Sequence, residues 1–221
     1  ALRGGGRYLH RMVRHRDNVF RDAPSRPFVL RQSRGFDGLG FVESERRRPG
    51  RGEVEIEVHA VGVNFKDVAK VAGILDSLAL DRSGIPPHLG MECAGIVTAV
   101  GKGVRNFSVG DEVMGIVLNC YASHVVTDPR ALVRKPPSLS FEEAATVPLA
   151  FLTAWYALHE LGRLRKGERV LVHTAAGGVG LAAIGIARAA GAEVVATAGA
   201  DEKRSYLRAL GIDCIGDSRS H

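Results

Sequence analysis

The sequence predicts a small antiparallel β-barrel followed by the first half of a doubly wound parallel α/β sheet. Three observations carry this. Short apolar segments punctuated by Gly, Asp and Pro recur over residues 28–133, the pattern of a small barrel. At Ser140 the apolar period changes from that of strands to that of helices. Beyond it, residues 169–191 read as a short apolar strand, a Gly-rich turn and a helix of small and aliphatic residues, the unit that receives a dinucleotide pyrophosphate.

The elements follow in order. Residues 1–27 form an Arg-rich linker, with an edge strand plus turn as the other reading of 1–26. Residues 28–30 and 39–42 are short strands around Gly35, Asp37 and Gly38, and 46–52 is a loop. Residues 53–63 alternate polar and apolar, a strand with one solvated face. A short helix is expected over 64–73 and irregular chain over 75–87. Strands are then expected at 94–100, 112–117, 122–126 and 131–133, separated by Gly101, Gly103, the Gly110-Asp111 pair and the Asp128-Pro129 pair. Ser140-Phe141-Glu142-Glu143 reads as a capping box. It opens helical segments at 144–147 and 151–161. A strand at 169–172, a helix to 190, a strand at 193–197, a helix at 202–210 ended by Gly211 and a strand at 213–215 complete a β-α-β-α-β unit. The domains expected are therefore 28–148 for the barrel and 149–221 for half of the nucleotide-binding fold, the sheet stopping after three strands.

Composition narrows the function. The 221 residues suffice for one large or two modest domains. The net charge of +6 is uneven: residues 1–51 hold 13 Arg, no Lys and 5 acids, whereas the rest hold 17 basic and 19 acidic groups. The basicity thus belongs to the N-terminal segment. No nucleic-acid motif accompanies it, so a solvated linker or interdomain contact is expected rather than a nucleic-acid partner. No run of eighteen apolar residues is present, so no membrane span is expected. The start lacks Met and the apolar stretch of a signal peptide, and reads as a piece cut from a longer chain. Cys93, Cys120 and Cys214 form no CxxC pair. All three read as small core residues, in keeping with a reducing cytoplasm.

The turn itself departs from G-x-G-x-x-G. Ala175 stands at the first position, Gly177 at the second and Gly180 at the third. The strand before and the helix after supply the context that a bare glycine pattern lacks. An acid at the end of the next strand would hold a ribose 2′-hydroxyl and favour NADH. Residues 194–199 end without one, while Lys203 and Arg204 follow at the next helix start, where cations suit a 2′-phosphate. NADPH is expected over NADH.

Four segments in this order, Gly62-Val63-Asn64-Phe65-Lys66-Asp67, Leu89-Gly90-Met91-Glu92-Cys93-Ala94-Gly95, Val109-Gly110-Asp111-Glu112-Val113 and Ala176-Gly177-Gly178-Val179-Gly180, resemble the medium-chain dehydrogenase/reductase superfamily. The wording of residues 64–67, 151–158 and 170–173 is similar to the enoyl reductase domains of type I polyketide synthases. The resemblance implies a GroES-like barrel followed by a partial Rossmann domain, truncated at its C-terminus. It implies NADPH-dependent reduction of an α,β-unsaturated thioester on an acyl carrier protein, with neighbouring domains of a megasynthase as further partners. It places Asn64 beside substrate and nicotinamide, Thr153 near the nicotinamide, and Ala176, Gly177, Gly178, Val179 and Gly180 at the pyrophosphate. Lys203 is implied at the 2′-phosphate, with Thr197 lining that pocket.

The resemblance also implies a member without metal. Zinc-dependent relatives carry Cys where Asn64 stands and His where Met91 stands, and Asn and Met are poor zinc ligands. Many polyketide enoyl reductases place a proton-donating Tyr where this chain has Leu75, which has no proton to give. The proton donor is therefore unassigned. Two alternatives stay open: a stand-alone zinc-free quinone or alkenal reductase, and a non-catalytic nucleotide-binding relative.

Overall fold

The computed structural model describes residues 2–3, 6–7, 27–33, 35–75 and 88–219. Most of the expected N-terminal linker, and all but the first residue of the segment expected to be irregular over 75–87, lie outside them. Near the start, β1 (Leu2–Arg3) and β2 (Gly6–Arg7) pair antiparallel.

Next, β3 (Phe28–Gln32) and β4 (Leu39–Glu43) form a hairpin with Phe28 opposite Glu43. Its rings at Phe28 and Phe41 meet edge to face, 5.1 Å apart. The barrel sheet is built from β5 (Val54–Val61), β6 (Cys93–Val100), β7 (Glu112–Gly115), β8 (His124–Thr127) and β9 (Leu132–Arg134). They lie in the order β8-β5-β6-β7-β9, every pair antiparallel. Val54, Ile56, Val97 and Val113 are fully buried and form its core with Cys93, Cys120 and Phe107.

The alternation expected along β5 breaks at Glu55, which is buried. A register shift between Glu55 and Ile56 interrupts the pleat there. Arg46 Nε and Nη2 each donate to the carboxylate at 2.7 Å, and Thr98 Oγ1 donates at 2.7 Å. That fork holds the Glu55 carboxyl below its ordinary range, the Arg46 bond being the largest cause.

Helix α1 (Phe65–Val71) follows β5, and α2 (Phe141–Ala145) follows the barrel. The capping box is complete: Glu143 N donates to Ser140 Oγ, and Ser140 N donates to the Glu143 carboxylate. The helix expected over 144–147 instead ends at Ala145, because Pro148 cannot extend it and serves as the first residue of α3 (Pro148–Trp155). The helix expected over 151–161 is α-helical only to Trp155; residues 156–161 form a π-helical turn.

The second unit runs β10 (Arg169–Val172), α4 (Gly178–Ala189), β11 (Glu193–Ala198), α5 (Asp201–Ala209) and β12 (Cys214–Asp217). The strands are parallel in the order β10-β11-β12. Small residues let α4 lie close on the sheet: Ala182, Ala183 and Ala187 pack with Val172, Ala196 and Leu207. Cys93 and Cys120 are core residues as expected, but Cys214 is exposed. It sits on β12, an edge strand among the described residues.

Candidate active-site cleft

The pairing of β5 with β6 sets the site. Val61 lies opposite Cys93, so the next residue of one strand, Gly62, meets the preceding residue of the other, Glu92. Gly62 N donates to the Glu92 carbonyl at 3.1 Å. Two residues later the chain reaches Asn64, the N-cap of α1. Glu92 is only 4% exposed. Its Oε1 accepts from Asn64 Nδ2 at 2.8 Å and its Oε2 accepts from Leu149 N at 2.7 Å. Leu149 is the second residue of α3, so the carboxylate meets the positive end of that helix and satisfies one of its unpaired N–H groups.

A cleft of about 480 Å³ opens over this arrangement. Val63, Asn64, Phe65 and Lys66 at the entry to α1, Leu149, Ala150 and Thr153 of α3, and Gly178 and Val179 at the start of α4 line it. The structure therefore brings together Asn64, Thr153, Gly178 and Val179, which lie up to 115 positions apart in the chain. Ala176, Gly177 and Gly180 belong to the adjoining turn.

That turn has an open side and a closed side. A Cβ on Gly178 would meet nothing within 4 Å, and one on Gly177 only Thr174 O at 3.4 Å. A Cβ on Gly180 would lie 2.6 Å from Ala175 O. The open side is a cradle that side chains would fill, set against the first N–H groups of a twelve-residue helix. It suits a dinucleotide phosphate.

Thr197 and Lys203 stand apart from the cleft lining. Thr197 Oγ1 accepts from Thr174 N at 3.3 Å and lies 2.8 Å from Nδ1 of His173. With Ala175 N donating to Thr197 O at 2.9 Å, this residue ties the turn to β11. Lys203 is exposed in the first turn of α5. Its neighbour Arg204 is engaged within the protein: it donates to Ala198 O at 2.8 Å and pairs with Asp201 and with Asp217.

Glu92 is the residue that sequence reasoning missed. Its only signal was an acid directly ahead of an apolar strand. Behind it, buried Asp67 accepts from Gly90 N at 3.0 Å and holds the loop that carries Glu92. Burial, and next the Asp67 charge, push the Tyr121 hydroxyl above its ordinary value of 10.0. The unfolded chain ionises this tyrosine first, so its contribution to stability is whole below about pH 10 and is lost as pH rises through the folded value. Tyr121→Phe is expected to shrink the loss of thermal stability between pH 9 and 11. An unchanged profile would remove Tyr121 as its source.

The barrel thus presents Asn64 to a cleft that also takes in the first residues of α4. The alcohol dehydrogenase GroES-like domain family matches residues 50–153, and the zinc-binding dehydrogenase family matches 178–221. The chain belongs to the medium-chain dehydrogenase/reductase superfamily. Over all of its length it is 41% identical to a phenolphthiocerol/phthiocerol polyketide synthase polypeptide of Mycobacterium tuberculosis, of which it spans 11%. The crystal structure of the CurK enoyl reductase shares 44% identity with a TM-score of 0.82, covering 88% of this chain and 60% of that one. The Escherichia coli quinone oxidoreductase complexed with NADPH shares 32% identity with a TM-score of 0.74, covering 89% and 59%. The chain thus spans a small part of its polyketide synthase relative and about three fifths of each solved relative. Among the described residues, no three His, Cys, Asp or Glu side chains are grouped to hold a metal ion, and no helix is long and apolar enough to cross a membrane.

Proposed function

We propose that this chain serves an NADPH-dependent enoyl reductase domain of a polyketide synthase, reducing an α,β-unsaturated thioester carried by an acyl carrier protein beside neighbouring domains in the cytoplasm. The observation that carries it is the cleft, which Asn64 and Thr153 line together with Gly178 and Val179 of the Gly-rich turn. Likeness to a polyketide synthase along the whole chain supports the substrate class. When bound, the nicotinamide supplies a hydride to the β-carbon. The residues of the chain bind and orient. Ala176, Gly177, Gly178, Val179 and Gly180 present backbone N–H groups and open space to the pyrophosphate. Lys203 offers its charge to the 2′-phosphate, at a strand end that Thr197 braces. Asn64 and Thr153 position the nicotinamide, and Val63, Phe65 and Leu149 keep water from the reacting carbon. No metal is assigned to this site.

The test uses the full-length protein with a crotonyl pantetheine thioester and follows the loss of NADPH absorbance. Turnover is expected. Reduction of a quinone with no reduction of the thioester would favour a quinone reductase instead, and binding without either reaction would favour a non-catalytic relative. Lys203→Ala is expected to weaken NADPH about tenfold while leaving NADH within about twofold, the loss of one charge-assisted contact. Equal losses for both nucleotides would show that Lys203 does not read the 2′-phosphate.

A further inference from the structure

A side-chain amide has one end that accepts and one that donates, and the surroundings of Asn64 decide which end meets the cleft. Nδ2 lies 2.8 Å from Glu92 Oε1 and 3.5 Å from the Gly62 carbonyl. Both are acceptors, so only the nitrogen suits that side. Asn64 Oδ1 takes no hydrogen bond from any described residue, and Asn64 lines the cleft. Glu92 cannot rotate away, because its other oxygen is held by Leu149 N at 2.7 Å and the side chain is buried. One carboxylate therefore fixes the polarity of one wall and grips the helix that carries Thr153 on the other.

We infer that Glu92 is a positioning residue: it locks the Asn64 amide with its oxygen toward the cleft, so that this wall accepts a hydrogen bond from the nicotinamide end of the cofactor rather than donating one. This rests on the proposed nicotinamide cofactor. It also means that Asn64 does not supply the donor that a developing charge on a thioester oxygen requires; that donor lies elsewhere.

The test is a polarity swap in the full-length protein, read as the NADPH dissociation constant from nicotinamide fluorescence, without substrate. In Glu92→Gln, one N–H₂ group must face either Asn64 Nδ2 or Leu149 N, donor against donor. The expected result is a dissociation constant raised about tenfold, one misplaced hydrogen bond. Asn64→Asp sets two carboxylates face to face and is expected to weaken binding at least as much. In the combined N64D/E92Q variant, the introduced amide donates to the introduced carboxylate and accepts from Leu149 N, while that carboxylate still turns an oxygen to the cleft. Binding is expected within about threefold of the unmodified protein, the recovery that coupled partners show. A swap variant as weak as either single variant would overturn the inference. A second comparison covers the case of poor folding. If Glu92 acts through Asn64, N64A/E92Q binds no more weakly than N64A; losses that multiply would overturn it. A protein that shows this binding pattern yet leaves enoyl thioesters untouched would support the inference and overturn the substrate proposal alone.

Discussion

Replacing Gly180 with alanine is expected to abolish nucleotide binding and to destabilise the protein by about 3 kcal/mol. Two effects oppose each other. Gly180 lies in the first turn of α4, where alanine gains about 1 kcal/mol of helix propensity over glycine. Against this, the added Cβ would sit 2.6 Å from the Ala175 oxygen and 2.7 Å from both its carbonyl carbon and its Cα. These are backbone atoms of a fully buried residue whose N–H is bonded to β11, so no rotamer change relieves the contact. The clash wins, and α4 must move off the turn, widening the cradle. Gly178→Ala is the control. Its Cβ enters open space, so folding is expected to be unchanged while phosphate approach suffers. Thermal unfolding and NADPH titration of both variants decide the matter. A Gly180→Ala protein with the original melting temperature and affinity would refute this account of the turn.

Gly62→Ala is expected to be comparably severe, at about 3 kcal/mol, with more than roughly a hundredfold loss of turnover. The new Cβ would lie 2.5 Å from Glu92 Oε1, 2.6 Å from Glu92 Cγ and 2.6 Å from the Ala145 carbonyl oxygen. On one side stands a buried carboxylate already fixed by two N–H donors; on the other stands the backbone of α2. Relief demands that Glu92 release Asn64 or that α2 retreat from the barrel. Either course spoils the cleft, which Gly62, Glu92 and Asn64 all line. Steady-state turnover and the melting temperature of the full-length variant give the check. Normal values for both would show that this corner tolerates a methyl group and that its tightness is unimportant.

Much of the fold could be read from the chain because its signals are local. The alternation in β5, the capping box at Ser140 and the strand-turn-helix at the glycines each depend on residues within a few positions of one another. The glycine turn stood out for the same reason, whereas Asn64 was reached through the family resemblance of residues 62–67. What escaped depends on distance. Glu92 acquires its meaning from Asn64, 28 positions away, and from Leu149, 57 positions away. Glu55 was expected to face water because the period of two assumes an unbroken pleat, and a bulge with an Arg46 partner reverses that choice. Cys214 was expected in the core on its chemistry alone, whereas it is exposed on a strand with one neighbour among the described residues. The π-helical turn at 156–161 has no local marker, and it was read as ordinary helix.

The two residues between α2 and α3, Thr146 and Val147, also have a mechanical meaning. They form the short joint where the barrel hands over to the second unit, and the grip of Glu92 on Leu149 lies immediately beside it. Rotation about such a joint displaces atoms in proportion to their distance from it. A contact beside such a joint is displaced least by it, so the bond from Leu149 N to Glu92 is placed to hold the two units together where the chain crosses between them.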